Sequence, residues 1–464
     1  MYTIDFNQPI SIYFVGIGGI SMSGLAEILN TAGFQVSGSD IKETSITRML
    51  EAQGIHVLIG QRRENITDDI DCAVFTSAIH EDNPEYQAVM ARHIPYLSRA
   101  QLLGQIMTNY KIPIAISGTH GKTTTTSMVS EILLQADTNP TLSIGGILKT
   151  IGGNIRVGGP DYFVTEACEY TNSFLSFFPK IGIILNIEED HMDFFKDLAD
   201  IRSSFRRFAQ LLPEDGCLII NGDIEHYEEI TQGLPCRVIT YGLGQNNDYY
   251  PININHDNLA HATFKLHTPD SSDVIETLRQ FTLGVPGDHN VSNALAAIAL
   301  ADLLKIDTKT TQTALLSFAG TDRRFEYKGT IGGVTIIDDY AHHPTEITAT
   351  LQAARNCPHK TLWCVFQPHT YTRTKAFMDD FAKALSLADR IILADIYSAR
   401  ETDNMGISSR TLQAEILKSG HSCEYFATFD EIENFLLENC TNGDMLITMG
   451  AGDVHKIGEN LLGI

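Results

Sequence analysis

The sequence predicts an α/β chain of parallel sheets, arranged in three consecutive blocks. Three observations carry that reading. Short apolar runs alternate with helix-length segments throughout, which is the rhythm of strand–helix–strand units. Glycine-rich turns follow directly on strand-like runs and open helical patterns. The chain has 464 residues, too many for one ordinary core and enough for two to four domains.

Composition narrows the function. Hydrophobic residues make up 43% and charged residues 19%, as in a folded globular protein. The net charge of −24 argues against gripping nucleic acid or an anionic membrane through the overall field. Local donors can still hold a nucleotide. Eight cysteines, Cys72, Cys168, Cys217, Cys236, Cys357, Cys364, Cys423 and Cys440, stand singly. Without a C-x-x-C pair they suggest reduced thiols, not a zinc ribbon or redox pair. Residues Met1 to Phe6 show neither a basic leader nor an apolar run. No stretch approaches the ~20 apolar residues of a membrane span. A soluble cytoplasmic protein is expected, without membrane insertion.

The first block, 1–110, opens on the run Ile12-Tyr13-Phe14-Val15 and the turn Gly16-Ile17-Gly18-Gly19-Ile20-Ser21-Met22-Ser23-Gly24. Glycines at such a turn let backbone approach a phosphate, and the following helix offers N–H donors. Ser21 breaks the strict G-x-G-x-x-G pattern. A second run, Gln35 to Ser39, ends at Asp40, about where a ribose-binding acid would sit. A ligand-free tight turn, an NAD site and a nucleotide-diphosphate site all remain open on this motif.

The second block, 111–320, opens on Ile112 to Ile116, followed by Gly118-Thr119-His120-Gly121-Lys122-Thr123-Thr124. In such a loop backbone N–H groups cradle phosphates, the lysine reaches the terminal ones and the next hydroxyl binds magnesium. The loop is a short G-x-x-G-K-T, since Ile116 occupies the first glycine position of the longer pattern. Glu166 and His191 stand at the ends of strand-like runs and are candidates to complete magnesium sites begun by Thr123. His191 read alone is equally an ordinary polar loop residue. The stretch from Gly242 to Asp273 is polar and irregular, in keeping with a β-rich insertion. Asn290 and Asn293, one turn apart before an alanine-rich helix, suit either a nucleotide base or a helix cap.

The third block, 321–464, carries the strand-like runs Val334 to Ile337, Thr361 to Phe366 and Arg390 to Leu393. The first two lead into Asp338-Asp339-Tyr340-Ala341-His342-His343 and Gln367-Pro368-His369-Thr370-Tyr371-Thr372-Arg373, clusters too dense in Asp, His, Tyr and Arg for plain solvated surface. Arg323-Arg324 at the junction suits either a charged linker or a clamp on phosphates.

As a set, these motifs resemble the Mur ligases. The glycine loop at 118–124, Glu166-Ala167-Cys168-Glu169, Asp190-His191-Met192-Asp193, His289-Asn290-Val291-Ser292-Asn293-Ala294, Arg323-Arg324-Phe325-Glu326 and Asp339-Tyr340-Ala341-His342-His343-Pro344 occur in that family's order. The opening glycine turn looks like the alanine-adding branch. The resemblance spans about residues 10 to 460. It implies three domains: an N-terminal Rossmann-like domain for a UDP-substrate, a central P-loop ATPase-type α/β domain, and a C-terminal Rossmann-like domain that closes over them.

The resemblance also implies roles. Gly118, Thr119, His120, Gly121, Lys122, Thr123 and Thr124 would hold ATP phosphates. Thr123 and Glu166 would bind one magnesium, Glu166 and His191 the other. Asn290 and Asn293 would face adenine, and Arg324 and Asp339 would contact ATP. Gly18, Gly19, Ser21, Met22, Ser23 and Asp40 would bind the sugar nucleotide. Tyr340, His342 and Arg373 would shape the amino-acid pocket, with His342 or Arg373 as cations for the oxyanion. The implied reactants are UDP-N-acetylmuramate, L-alanine and ATP with Mg2+, and the protein would be a monomer or homodimer. A recycling ligase that adds a whole peptide to the same sugar nucleotide is the nearest alternative.

Two departures matter. Thr370 stands where some relatives have arginine. Several relatives also carbamylate a lysine about fourteen residues after the position of His191, but here that count lands on Phe205. No lysine occurs from Asp197 through Phe264, and arginine cannot substitute because its guanidinium stays protonated. Phe205 is therefore expected to pack against apolar neighbours in a helix, and activity to be independent of bicarbonate.

Overall fold

The structure is a computed structural model that describes residues 2–76, 78–257, 260–271, 278–399 and 401–464. It is mixed α/β, as the sequence predicts, and it resolves into two compact units. The first comprises Met1–Ile187, Arg202–Ile220 and Ile224–Ile239; the second comprises Glu188–Ile201, Asn221–Asp223 and Thr240–Ile464. The segment 111–320 is thus divided between the two.

In the first unit, β1 (Ser11–Val15), β2 (Gln35–Asp40), β3 (His56–Ile59), β4 (Cys72–Phe75) and β5 (Tyr96–Ser98) form a wholly parallel sheet in the order β3-β2-β1-β4-β5. Ile12, Tyr13, Phe14 and Val15 are all buried, because helices cover both faces of a parallel sheet. The order reverses at β1, which opens a crevice at the carboxyl ends of β1 and β4.

A seven-stranded sheet follows: β6 (Ile112–Ser117), β7 (Thr141–Leu148), β8 (Gly153–Arg156), β9 (Tyr162–Ala167), β10 (Ile181–Ile184), β11 (Cys217–Asn221) and β12 (Arg237–Tyr241), ordered β12-β11-β10-β6-β9-β7-β8. β6 lies between β9 and β10, parallel to both, so three strands deliver their carboxyl ends side by side. The helix Lys122–Gln135 leaves β6. Its run of threonines is a poor helix former, and burial of Thr125, Thr126, Met128, Val129 and Ile132 holds it instead. Within this unit the β7–β8 hairpin meets the helix Ile20–Thr31 at Gly24, where an added Cβ would lie 2.1 Å from Ile155 Cγ1.

The second unit contains a three-stranded antiparallel sheet, β13 (Tyr250–His256), β14 (His261–His267) and β15 (Arg279–Pro286). It accounts for the β-rich stretch expected from Gly242 onward, although Asn258, Leu259, Ser272 and Asp273 lie outside the described residues. A six-stranded sheet completes the unit: β16 (Glu326–Ile331), β17 (Val334–Asp339), β18 (Leu362–Phe366), β19 (Arg390–Leu393), β20 (Cys423–Tyr425) and β21 (Met445–Met449), ordered β16-β17-β21-β18-β19-β20. Only β16 runs antiparallel among these pairs. Among the described residues no helix is long and apolar enough to cross a membrane.

Candidate functional site

The phosphate loop is built by close approach. Gly118 has φ +148°, and a Cβ there would lie 2.9 Å from Leu185 Cβ, so only glycine fits. Gly121, at φ +80°, begins the helix. Asn186 locks the loop to the end of β10: its Oδ1 accepts from His120 N (2.7 Å), its Nδ2 donates to His120 O (3.1 Å), and its carbonyl accepts from Thr119 N (3.2 Å). The Lys122 ammonium donates to Thr119 O (3.1 Å), Glu169 Oε2 (3.1 Å) and Gly118 O. Burial works against its charge, but Glu169 outweighs burial and raises its pKa, so Lys122 stays protonated.

Glu166 lies on β9 with Oε1 accepting from Gly145 N at 2.6 Å. A Cβ on Gly145 would sit 2.6 Å from that same oxygen. The Ser117, Thr125, Thr126 and Ser127 hydroxyls are buried without a hydrogen-bond partner among the described residues. The first-turn N–H groups from Lys122 to Thr124 have no acceptor inside the helix, whose first internal bond runs from Thr125 N to Gly121 O. Hydroxyl and carboxylate oxygens beside unspent N–H groups and a lysine fit a magnesium nucleotide.

The first glycine turn hangs on β2. Gly16 N and Ile17 N both donate to Ser39 O at 2.9 Å, and Gly18 N donates to Asp40 Oδ2 at 2.9 Å. Asp40 therefore shapes the turn. Gly19 is the cap of the helix that carries Ser21, Met22 and Ser23; Met22 and Ser23 are buried, and Ser21 Oγ accepts from Arg99 at 2.9 Å.

In the second unit a polar cluster gathers at the carboxyl ends of β17 and β18. Asp339 is buried, and its carboxylate accepts from Ala341 N (2.7 Å), Phe325 N (2.9 Å) and Thr350 Oγ1 (3.1 Å). Burial still raises its pKa to about 6, against the opposing pull of Arg324. The Tyr340 ring faces the guanidinium carbons of Arg323 (5.0 Å) and Arg324 (5.4 Å) and the edge of His342 (5.4 Å).

Arg373 Nη2 donates to Asp190 Oδ1 at 2.8 Å, and its Nη1 to His369 Nδ1 at 3.1 Å. Burial opposes ionisation of Asp190, but Arg373 prevails and holds the carboxyl well below its usual range. His191 has φ +54° and its Nε2 lies 3.7 Å from Asp190 Oδ2. His342 Nδ1 faces the Tyr340 carbonyl at 3.0 Å, so the proton sits on Nδ1. Burial drives its pKa down to about 3. Partial burial thus favours the neutral imidazole, and Arg323, Arg324 and Arg373 bring the positive charges of this cluster.

Asn290 and Asn293 occupy the first turns of the helix Asp288–Leu303 and are buried. Neither is its cap, which is Gly287. Asn290 Nδ2 donates to Pro286 O (2.7 Å) and Asn293 Nδ2 to Asn290 Oδ1 (3.1 Å). Thr370, at φ +67°, caps the helix Tyr371–Ala376 by accepting from Arg373 N. Sequence reasoning left out Gly145, Asn186, Glu169, Arg99, Asp190 and His369 as functional residues. Each acts through a partner brought near by the fold, as with Asp190 and Arg373, which are 183 positions apart.

Comparison with known proteins agrees with these motifs. Family models match residues 11–111 (Mur ligase family, catalytic domain), 116–301 (Mur ligase middle domain) and 323–452 (Mur ligase, glutamate ligase domain). The chain is 59% identical, over 462 residues and 100% of both chains, to a UDP-N-acetylmuramate–L-alanine ligase of Agathobacter rectalis. It is 57% identical, over 100% of both chains, to one of Lachnospira eligens. Among solved structures, a UDP-N-acetylmuramate–alanine ligase from Thermotoga maritima superposes with a TM-score of 0.81 at 29% identity, covering 98% of each chain. A murein peptide ligase from Psychrobacter arcticus gives 0.72 at 25%, also covering 98% of each.

Proposed function

The chain belongs to the Mur ligase family, and from that premise we propose that it joins L-alanine to the carboxylate of UDP-N-acetylmuramate at the expense of ATP, in peptidoglycan precursor synthesis. The observation that carries this reading is full-length identity of 59% to a ligase of that name. The phosphate loop supports it, with Lys122 kept charged beside Glu169 and Glu166 presented by Gly145.

The chemistry explains the residues. A carboxylate resists attack by an amine at neutral pH. Transfer of the terminal phosphoryl of ATP converts it to an acyl phosphate and releases ADP. The free amine of L-alanine then attacks, and the tetrahedral intermediate collapses to amide and phosphate. Lys122 and the first-turn N–H groups are proposed to neutralise the transferring phosphoryl. Bound magnesium would supply further positive charge there, with Thr123 and Glu166 as its ligands in the first unit; His191 is assigned to magnesium by resemblance alone. In the second unit Tyr340, His342 and Arg373 are proposed to receive the amino acid. Asn290, Asn293, Arg324 and Asp339 are assigned to ATP. Arg373 carries the positive charge suited to a carboxylate or oxyanion. The reaction is proposed to run in the cytoplasm, where ATP and nucleotide sugars are made.

Phosphate release tests this reading. With UDP-N-acetylmuramate, ATP and Mg2+, L-alanine is expected to support faster release than glycine, serine or a tripeptide. Preference for the tripeptide would give the chain the recycling activity instead, and silence with every acceptor would end the proposal.

A further inference from the structure

We propose that Arg99 binds the diphosphate of the sugar nucleotide, as a clamp set against the first glycine turn. The inference rests on the assignment of the five-stranded sheet to that substrate and adds a residue to it.

Position comes first. Ser98 closes β5 and caps the next helix, Arg99–Met107: its Oγ accepts from Gln101 N at 3.2 Å, while Gln101 Oε1 accepts from Ser98 N at 2.8 Å. This reciprocal cap fixes the direction in which Arg99 leaves the sheet. All five strands are parallel, so the end of β5 lies on the same edge as the glycine turn after β1. That edge, at the reversal of strand order, is where such sheets bind ligands. The helix is seated firmly as well. At Gly104 an added Cβ would lie 1.9 Å from the Ser176 carbonyl oxygen, so the helix rests directly on backbone.

Electrostatics comes second. Arg99 Nη1 donates to Ser21 Oγ at 2.9 Å, and among the described residues this is its sole hydrogen bond. Among the described residues no carboxylate pairs with it. Arg279, Arg323 and Arg373, also partly buried, each pair with a carboxylate, of Asp302, Asp338 and Asp190. Burial lowers the Arg99 pKa, against a smaller opposing pull from the Cys168 thiol. A guanidinium remains charged even so. A partly desolvated cation with most of its five donors unspent is unfavourable until an anion arrives. Its planar fork matches two phosphate oxygens.

Complementary donors complete the cradle. The first bond inside the helix Ile20–Thr31 runs from Ser23 N to Gly19 O, so the N–H groups of Ile20, Ser21 and Met22 have no acceptor within the helix. The Gly18 N–H is already spent on Asp40. A diphosphate at this turn would meet backbone N–H groups on one side and the Arg99 fork on the other.

Calorimetry on the full chain with UDP, UMP and uridine tests the assignment. Arg99→Gln is expected to weaken UDP by about 10- to 100-fold and to leave uridine within about twofold. Arg99→Lys keeps the charge without the fork and should fall between. In turnover assays the Arg99→Gln KM for UDP-N-acetylmuramate should rise while the KM for ATP stays within about twofold. Equal losses for UDP and uridine would mark Arg99 as merely structural and overturn the proposal. Unchanged UDP affinity with weakened UDP-N-acetylmuramate would assign the guanidinium to the sugar's carboxylate and also overturn it. If Arg99→Gln does not fold, Arg99→Lys decides, and wild-type affinity for UDP there refutes the clamp. Failure of the unaltered protein to bind UDP would instead remove the functional reading beneath it.

Discussion

A single backbone N–H can decide where a carboxylate points. The Gly145 N–H holds Glu166 Oε1 at 2.6 Å and leaves no room for a side chain. Gly145→Ala is therefore expected to push the carboxylate aside. Because groups that orient metal ligands typically contribute 10- to 100-fold in affinity, the Mg2+ needed for half-maximal binding of a fluorescent ADP analogue should rise roughly 10-fold. UDP affinity should not change. An unaltered Mg2+ requirement would show that Glu166 is not oriented this way. The sequence makes Glu166 legible through its place after a strand-like run. Gly145 is not legible, because β7 is the neighbour of β9 only in the folded sheet.

At the scale of elements, the helix Leu198–Ala209 shows why a lysine is missing. Phe205 is fully buried and meets Phe174 edge-on at 5.5 Å, while Phe174 stacks on Phe208 at 4.8 Å. The apolar packing expected from sequence is what the helix displays. Phe205→Lys would bury an ammonium in that aromatic seam and should cost several kcal/mol, lowering the urea midpoint. Wild-type turnover should be the same in carbon-dioxide-free buffer as with bicarbonate, and rescue by bicarbonate would contradict this. Strands were legible wherever apolar runs were continuous: Arg390 to Leu393 is both the expected run and the observed β19. The β13–β15 sheet was less so. Its β14 alternates Ala262, Phe264 and Leu266 inward with polar residues between, a half-buried pattern diluted by His261 and His267.

The whole molecule should respond to acid through partly buried histidines. In the second unit partial burial lowers His369 to about 4 and His342 to about 3. Each folded pKa lies below the unfolded value near 6.5. Each therefore stabilises the fold above about pH 6.5 and loses that contribution as pH falls toward its folded value. Asp339 opposes them: raised to about 6, it stabilises below about pH 4 and loses that as pH rises through 6. Two groups outweigh one, so Tm should fall by roughly 3 °C between pH 7.5 and 4.5. His369→Gln should flatten that dependence, and a Tm flat across the range would refute it. Three successive, largely parallel sheets could be anticipated from apolar runs alternating with helix-length segments. The division of 111–320 between two units could not, because it depends on packing between distant segments. One close approach in the first unit also has a consequence for descent. Gly24 and Ile155 share a space too small for any added carbon, the Cβ of one falling 2.1 Å from a side-chain atom of the other. The two positions should therefore covary: a lineage that gains a side chain at 24 can keep the hairpin seated on the helix only by shrinking 155 in step.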